Sequence, residues 1–401
     1  MKILNLPAIG ILMLILAVSC TTEKKAAEAP DTKKMLDYCV DKVVTNLNSL
    51  TAVDSLPRNI LPGQTNWNKV GIYDWTSGFW PGILWEAYEV SGNQDILANA
   101  RKFTDPLRAV LSVPVDNHDL GFMLYLSFGN GYQATKDSAY HQFLLTAADS
   151  LATLFNPKVG TILSWPSMCA KMNWPHNTII DNMINLELLF WASKNGGEQR
   201  LYDMAVKHAE TCMKTMVRPD YTTFHVAVFD TFDGHFIKGV THQGYADSSM
   251  WARGQAWGIY GYSMCFRETG NPEFLETAHK LADVFIKRLP EDVIPYWDFD
   301  DPAIPNAPKD ASAAAIAASG MLELSGFVKN EADKEKYINA AIALLAKLST
   351  PEYLSGDKNQ AFLMHSTGHK PNGTEIDASI IYADYYYLEA LMRLKKLEIN
   401  Q

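Results

Sequence analysis

The chain has 401 residues, and its 35 Lys and Arg against 45 Asp and Glu give a formal net charge of −10. Hydrophobic residues make up 47% and charged residues 20%, a composition typical of globular proteins and not of disordered ones. Nucleic-acid phosphates are bound by clustered Lys and Arg, so an acidic chain of this kind predicts no nucleic-acid partner.

Residues 1–19 resemble a signal peptide. The apolar run from Ala8 to Val18 is too short to span a bilayer as a stable helix and fits a secretory segment. Small residues stand directly before Cys20, as in bacterial lipoproteins, so we predict that Cys20 is lipidated and that residues 20–33 form a tether. A plain signal peptide with an incidental cysteine is the alternative. The expected location is the cell envelope, either periplasmic or membrane-anchored, with membrane contact only through that anchor.

Residues 34–398 show a repeating pattern of paired helices and predict one all-α domain. Gly92-Asn93 and Gly270-Asn271 each separate two helical stretches, since glycine commonly ends a helix in the left-handed conformation. The first stretch of a pair is apolar nearly all round, as in 313–324, and indicates a buried inner helix. The second, as in 274–285, repeats apolar residues every three or four positions and indicates a half-exposed outer helix.

Helices are predicted to start near residues 34, 79, 95, 119, 137, 181, 198, 252, 272, 310, 331 and 377. Six inner and six outer helices in alternation are the pattern of an (α/α)6 barrel. The longer connections run from outer to inner helices, roughly over 50–78, 156–178, 217–251, 290–309 and 350–376. In such a barrel these loops lie on one rim, and long ordered loops usually carry function. The longest contains alternating segments at 223–229 and 235–240, which predict a short β-hairpin.

Two aspartates stand at predicted inner-helix starts in apolar surroundings. Asp119 lies within Asn117-His118-Asp119-Leu120-Gly121-Phe122, and Asp181 lies within Ile179-Ile180-Asp181-Asn182-Met183. Burial and mutual repulsion would raise the pKa of such carboxyls and separate their roles. Aspartate is also a common helix cap, so the position of either residue alone could be explained by capping without a catalytic role. Two carboxylates facing each other across a cavity are the usual apparatus of a glycosidase.

Aromatic side chains and hydrogen-bond donors accompany these aspartates and are consistent with a cleft that binds a sugar. Arg253, at an inner-helix start, and Gln243 and His225, in the preceding loop, offer donors suited to a carboxylate, although an arginine usually pairs with a structural acid. Indole faces stack on pyranose rings, but roughly half of the tryptophans would be core fillers. Those in the long loops or just inside the helices they feed are Trp75, Trp80, Trp165, Trp174, Trp251 and Trp257.

Motifs for other chemistries are absent from the sequence. It contains no HExxH, GxSxG or P-loop motif, and its ten histidines do not cluster as metal ligands.

Several segments, taken together and in order, resemble glycoside hydrolase family 88, the unsaturated glucuronyl hydrolases. The resemblance covers about residues 35–395 and implies an (α/α)6 barrel. The segments are Asp74-Trp75-Thr76-Ser77-Gly78-Phe79-Trp80-Pro81-Gly82, His118-Asp119-Leu120-Gly121-Phe122, Ile180-Asp181-Asn182-Met183, Trp251-Ala252-Arg253-Gly254-Gln255-Ala256-Trp257, Pro295-Tyr296-Trp297-Asp298-Phe299 and Lys309-Asp310-Ala311-Ser312-Ala313.

The resemblance also implies a reaction and a set of site residues. The substrate would be an oligosaccharide left by a polysaccharide lyase, whose non-reducing uronic acid has a C4=C5 double bond that the enzyme hydrates. Asp181 would be the general acid/base and Asp119 the partner that orients the sugar and supports positive charge. The resemblance implies neither a metal nor an organic cofactor. The implied substrate contacts are Trp75, Phe79, His118, Trp165, His225, Gln243, Arg253 and Trp257.

Glycosaminoglycan disaccharides are the favoured substrates, and the loop 365–370 is a predicted contact with the leaving sugar. There Ser366 and Lys370 could bind a sulfate or carboxylate, a solvated turn being the alternative. Two other functions stay open. One is an unsaturated rhamnogalacturonyl hydrolase-like enzyme acting on pectin or algal fragments. The other is a non-catalytic sugar-binding lipoprotein with the same barrel.

Overall fold

The structure, a computed structural model, describes residues 28–399. The predicted signal peptide, Cys20 and most of the predicted tether lie outside the described residues. Within 28–399, none of the helices has both the length and the apolar character needed to cross a membrane.

Twelve helical units alternate between an inner and an outer layer. The inner layer contains α2 (Phe79–Ser91), a π segment (Gly121–Gly129) that continues into α4 (Asn130–Thr135), α7 (Asn182–Lys194), α9 (Ala252–Thr269), α11 (Ala311–Ser325) and α13 (Ile381–Ile399). The outer layer contains α1 (Thr32–Leu47), α3 (Gln94–Thr104), α5 (Ser138–Ala152), α8 (Gln199–Thr215), α10 (Pro272–Arg288) and α12 (Glu331–Leu348). Each inner unit packs on the next and α13 packs on α2, so the ring closes. The predicted all-α, (α/α)6 architecture is confirmed.

Most helices begin within two residues of their predicted starts, because caps and apolar periodicity mark them locally. At α10, Gly270 adopts a left-handed φ of 69°, and the side chain of Asn271 accepts a hydrogen bond from the amide of Glu273. The exception is α13, which begins at Ile381 and not near 377. Residues just before it form β8 (Ser379–Ile380) and pair with another strand, so the helix starts later.

Short strands occupy the loops between outer and inner helices. The predicted hairpin is confirmed, since β6 (Val226–Phe229) pairs antiparallel with β7 (Phe236–Val240), and β5 (His176–Ile179) adds a third strand. The other strands are β1 (Leu56–Ile60) and β2 (Asn68–Val70), which form a sheet with β8, and the pair β3 (Phe155–Asn156) and β4 (Thr161–Ile162). Short helices at Asp105–Ser112, α6 (Pro166–Lys171) and Lys370–Asn372 complete the loops.

The two ends of the described chain meet at the pole opposite these loops. Outer helices begin where inner helices end, so α1 starts beside the last turn of α13. The Thr32 hydroxyl donates a hydrogen bond to Glu398 Oε1 at 2.5 Å. The long loops therefore lie on one rim of the barrel, and the two ends of the described chain lie at the other.

A glycine allows two neighbouring inner helices to touch backbone to backbone. A Cβ placed on Gly121 would lie 2.5 Å from the Cα of Asn185 in α7, closer than atoms can pack. The side-chain oxygen of Asn185 also accepts a hydrogen bond from the amide of Phe122 at 2.9 Å. The first turns of the π segment and α7 are thus held together.

We predict that Gly121→Ala lowers the free energy of unfolding by about 1–3 kcal/mol, because the added methyl group must push two packed backbones apart. The measurement is urea denaturation of the wild type and the variant. Gly71→Ala is the matched control, because a Cβ at Gly71 meets no atom within 4 Å. A change at Gly121 no larger than that of the control would contradict the packing argument.

Candidate active site

A cavity of about 350 Å³ opens on the rim where the inner helices begin. Its walls come from the long loops and from the first turns of the π segment, α7, α9 and α13. The lining residues are Arg58, Trp75, Asp119, Trp165, Met168, Ile179, Asp181, His242, Gln243, Arg253, Gly368, His369, Asn372, Thr374, Glu375 and Tyr382.

Asp119 lies at the floor of this cavity, two residues ahead of the π segment. Its backbone amide donates to the Asn117 side chain at 2.8 Å, and its carboxylate lies 3.4 Å from His118 Nε2. The residue is 8% exposed, and burial raises the pKa of its carboxyl to about 7. His118 is fully buried, and burial lowers its pKa to about 4, so this imidazole is neutral near pH 7.

Asp181 lines the same cavity immediately before α7. Its side chain is 13% exposed, and burial raises its pKa to about 6, although the positive charge of Arg253 opposes that rise. His225 Nδ1 accepts hydrogen bonds from the amides of His242 and Gln243, which leaves the proton on Nε2. That Nε2 lies 3.8 Å from Asp181 Oδ2, so a neutral imidazole presents its N–H side to the carboxylate.

The two aspartates form a pair that can both give and take a proton near neutral pH. Between pH values of about 6 and about 7 the pair holds one proton and one negative charge. A protonated carboxyl beside an ionised carboxylate is the state that general acid–base chemistry needs. The arrangement can therefore protonate a bound group and stabilise the positive charge that results.

Arg253 ties three elements together at the cavity wall. It is 2% exposed, and its guanidinium donates to Asp310 at 2.8 Å and to the carbonyls of Thr367 and Gly368 at 2.7 and 2.5 Å. Its plane lies over the rings of Trp251 and Tyr382. Most of its donors are thus used by the protein, and its main structural effect is to fix the 367–368 loop at the start of α9.

A second cation lies on the other side of the cavity. Arg58, from β1, forms two hydrogen bonds with Asp74 and one with Glu375, and it lies 5.9 Å from the centre of the Trp75 ring. Glu375 packs closely on Gly368, since a Cβ placed on Gly368 would lie 2.3 Å from Glu375 Oε2. Arg58 thus lies between two acids and the ring of Trp75, which lines the cavity.

The structure brings six of the twelve predicted site residues to the cavity surface: Asp119, Asp181, Trp75, Trp165, Gln243 and Arg253. Three others lie outside the cavity surface and contact residues that line it. His118 and His225 lie against the two aspartates, and Phe79 packs edge-on against Trp75. Trp257 is 1% exposed and packs on Phe122 and Tyr386 in the core.

The predicted leaving-sugar contacts do not line the cavity. Ser366 is fully buried, and its backbone pairs with that of Ala378. Lys370 is half-buried, and its ammonium group pairs with Asp301 at 2.9 Å. Direct contact of either residue with a ligand stays a prediction.

Sequence reasoning missed Arg58, His242, His369, Glu375 and Tyr382. Arg58 and Glu375 are paired across more than 300 residues of sequence, and neither belongs to a local motif. Tyr382 could have been predicted as a site residue, because it lies at the start of an inner helix, as Asp181 and Arg253 do. For His242 and His369, only their location in the long loops pointed to the rim.

One group within the described part of the chain has three possible metal-ligand atoms within 4.8 Å of one another. It consists of Asp230, Asp233 and His235 at the turn between β6 and β7. These residues lie on the exposed hairpin and do not line the cavity. The expected absence of a metal from the site stays a prediction.

Comparison with known proteins gives consistent matches over most of the chain. Residues 51–393 match the family described as Glycosyl Hydrolase Family 88. The chain is 38% identical to the unsaturated glucuronyl hydrolase of Formosa agariphila over 397 residues, or 97% of each chain. It is 36% identical to the unsaturated chondroitin disaccharide hydrolase of Streptococcus pneumoniae over 91% of this chain and 93% of the relative. The crystal structure of an unsaturated glucuronyl hydrolase specific for heparin superposes with a TM-score of 0.87 and 41% identity, covering 92% of this chain and 98% of that one.

We predict that Asp119→Asn stabilises the fold at alkaline pH and not at acidic pH. A carboxyl whose pKa is raised on folding favours the folded state only when protonated, so its contribution is lost as pH rises through about 7. The amide cannot ionise. The free energy of unfolding of the variant should therefore exceed that of the wild type by at least about 1 kcal/mol at about pH 8.5 and equal it near pH 4. Urea denaturation at both pH values measures this.

Asp54→Asn removes the same charge from an exposed residue that does not line the cavity and serves as the control. An advantage of Asp119→Asn that is equal at both pH values would show that burial does not raise this pKa.

Proposed function

The chain belongs to glycoside hydrolase family 88, and from that membership we propose that it removes the 4,5-unsaturated uronic acid from the non-reducing end of lyase-generated oligosaccharides. The observation that carries this proposal is the location of Asp119 and Asp181 in one cavity, with both carboxyl pKa values raised toward neutrality. A hydrating enzyme needs a proton donor and a carboxylate within reach of one sugar ring. This cavity supplies both, beside the exposed ring of Trp75.

The uronate would lie between the two aspartates. Its ring stacks on Trp75 or Trp165, and its hydroxyl groups donate to Asp119. The carboxylate of the sugar adds a negative charge beside Asp181, which raises the pKa of that residue further and favours its protonated form. In the free site Asp119 has the higher pKa of the two and holds the shared proton. Hydrogen bonds from the sugar hydroxyl groups favour ionised Asp119, so substrate binding shifts the proton to Asp181 and prepares it to act as an acid.

Asp181 then delivers its proton to C4 of the double bond. Protonation leaves positive charge shared between C5 and the ring oxygen, and ionised Asp119 stabilises it. A water molecule adds its oxygen to C5 and returns a proton to Asp181, which restores the acid. The resulting hemiketal opens: the bond from C5 to the ring oxygen breaks, the C5 hydroxyl proton moves to that oxygen, and C5 becomes a ketone. The hemiacetal now at C1 then collapses to an aldehyde, as the bond to the glycosidic oxygen breaks and the C1 hydroxyl proton moves to the leaving sugar.

Glycosaminoglycan disaccharides are the proposed substrates. The relatives named for chondroitin disaccharides and for heparin support this class over pectin or algal fragments. The presence of both carboxyls in the cavity supports catalysis over sugar binding alone. A panel of chondroitin, heparin, hyaluronan, alginate and pectin lyase digests tests the choice.

We predict that Asp181→Asn lowers kcat by at least about a hundredfold, because an amide can neither give nor return the proton. The assay follows loss of the ultraviolet absorbance of the unsaturated uronate, since hydration destroys that chromophore. Asp54→Asn, at an exposed position outside the cavity, should turn over at the wild-type rate. Near-wild-type turnover by Asp181→Asn would remove this residue from the mechanism, and unchanged absorbance with every digest and wild-type protein would refute the activity itself.

We also propose that the protein is exported to the cell envelope and lipidated at Cys20. Only the sequence Ala17-Val18-Ser19-Cys20 and the apolar run before it support this proposal.

We predict that the protein expressed in a bacterium incorporates a palmitate analogue and that Cys20→Ser abolishes the label. Cys169→Ser, which removes a half-buried free thiol, is the control and should retain it. Labelling that survives in Cys20→Ser would place the lipid elsewhere, and an unlabelled wild type would refute the anchor.

A further inference from the structure

A second cavity lies inside the barrel at the pole where the inner helices end. It has a volume of about 290 Å³, and its walls come from α2, the π segment, α4, α7, α9 and α13. Glu89 and Lys396 pair at its mouth at 3.5 Å, and both side chains are more than half exposed. The cavity shares no lining residue with the active site, so a ligand bound here would not touch the two aspartates.

Buried carboxylates outnumber the cations that pair with them around this cavity. Arg267 pairs with Glu187 and with Glu323. Arg393 pairs with Glu323 at 2.7 Å and with Glu389 at 3.3 Å. Each guanidinium group is thus bonded to at least two acids, and neither is free to neutralise a further negative charge.

Glu86 adds a carboxyl group that lines the cavity. The residue is 7% exposed, and within the described part of the chain its Oε2 has no hydrogen-bond partner. Burial and the neighbouring Glu389 raise the pKa of Glu86 well above the ordinary value of a glutamate, although the Tyr385 hydroxyl and Arg393 oppose that rise. The carboxyl is therefore neutral near pH 7, and a cation bound beside it would favour its ionised form.

The groups around Glu86 supply no other free positive charge. By element, its titratable neighbours are Glu89 on α2, Cys39 on α1, Tyr125 on the π segment, and Tyr385, Glu389 and Arg393 on α13. Arg393 is the one cation among them, and its guanidinium is held by two other acids. A positive charge that ionises Glu86 must therefore come from a ligand.

The walls of this cavity suit an organic cation and not a metal ion. Rings of Trp85, Tyr125 and Tyr385 line it, and aromatic faces attract ammonium groups. Among the described residues, the one group of three metal-ligand atoms within 4.8 Å of one another lies on the β6–β7 hairpin, away from this cavity. The inner helices also end at this pole, where their backbone dipoles favour positive charge.

We propose that this cavity is a binding site for a small organic ammonium ion, whose charged group pairs with Glu86 while its hydrocarbon part packs on the aromatic rings. Binding exchanges one positive charge for another, because the ammonium ion enters and the proton of Glu86 leaves to solvent. The inference is independent of the proposed function.

The experiment titrates the wild-type protein with n-butylammonium chloride, followed by isothermal titration calorimetry at pH 6 and at pH 8. We expect a Kd on the order of 1 mM at pH 8. Binding should be at least about tenfold weaker at pH 6, because Glu86 must lose its proton while an alkylammonium ion stays charged at both pH values. Titrations in two buffers with different heats of ionisation should show release of about one proton per ligand.

Matched variants and ligands identify the group responsible. Glu86→Gln keeps the shape and the neutral state of the side chain, and it should weaken binding at pH 8 at least about tenfold and abolish proton release. Glu335→Gln, exposed on α12 and outside both cavities, should bind as the wild type does. The neutral ligand 1-butanol should bind at least about tenfold more weakly than butylammonium. If Glu86→Gln folds poorly, the pH dependence of wild-type binding tests the same group.

Each outcome decides the proposal without reference to turnover. Absence of butylammonium binding at both pH values would overturn it, as would equal binding by the wild type and Glu86→Gln. Equal binding of 1-butanol would show an apolar cavity without a charge requirement and would also overturn it. Magnesium chloride is titrated in parallel, and tighter binding of Mg²⁺ that depends on Glu86 would exclude an organic ligand class. The ultraviolet assay measures turnover of the unsaturated disaccharides separately.

Discussion

The active site depends on the contact between the π segment and α7. Gly121 has no side chain, so its backbone lies against Asn185. The side-chain oxygen of Asn185 then accepts a hydrogen bond from the backbone amide of Phe122, the next residue of the π segment. Asp119 stands two residues before one of these elements, and Asp181 stands one residue before the other. Close approach of the two helical starts therefore brings both carboxyls to the floor of one cavity. A larger residue at 121 would separate the acids that the chemistry needs together.

Burial gives this pair its electrostatic character. Both carboxyls lose hydration, and the histidines beside them are neutral because burial disfavours their charged forms as well. Arg253 supplies positive charge to this wall, but its guanidinium is bonded to Asp310 and to the carbonyls of the 367–368 loop. The site can thus share one proton between two acids near neutral pH, while its surroundings stay fixed.

The barrel could be predicted from the sequence because its signals are local. Caps such as Asn271, apolar spacing and the alternation of short and long connections are all visible within one helix pair, and they located eleven of the twelve starts to within two residues. The late start of α13 was missed because β8 pairs with β1, more than 300 residues away. Asp119 and Asp181 were predictable for the same local reason, since each lies at a helix start.

The rest of the site depends on contacts between distant loops. Arg58 meets Glu375, and Lys370 meets Asp301, through pairings that no spacing rule connects. A sequence shows which charges exist, but only the folded loops show which of them already have partners.

Both ends of the described chain lie at the pole remote from the cavity, where Thr32 bonds to Glu398. A protein held at a surface through residues ahead of Thr32 would turn its mouth away from that surface and toward open fluid. Small fragments arriving by diffusion would then reach the acids without passing between the enzyme and its support, and released sugars would leave along the same unobstructed route.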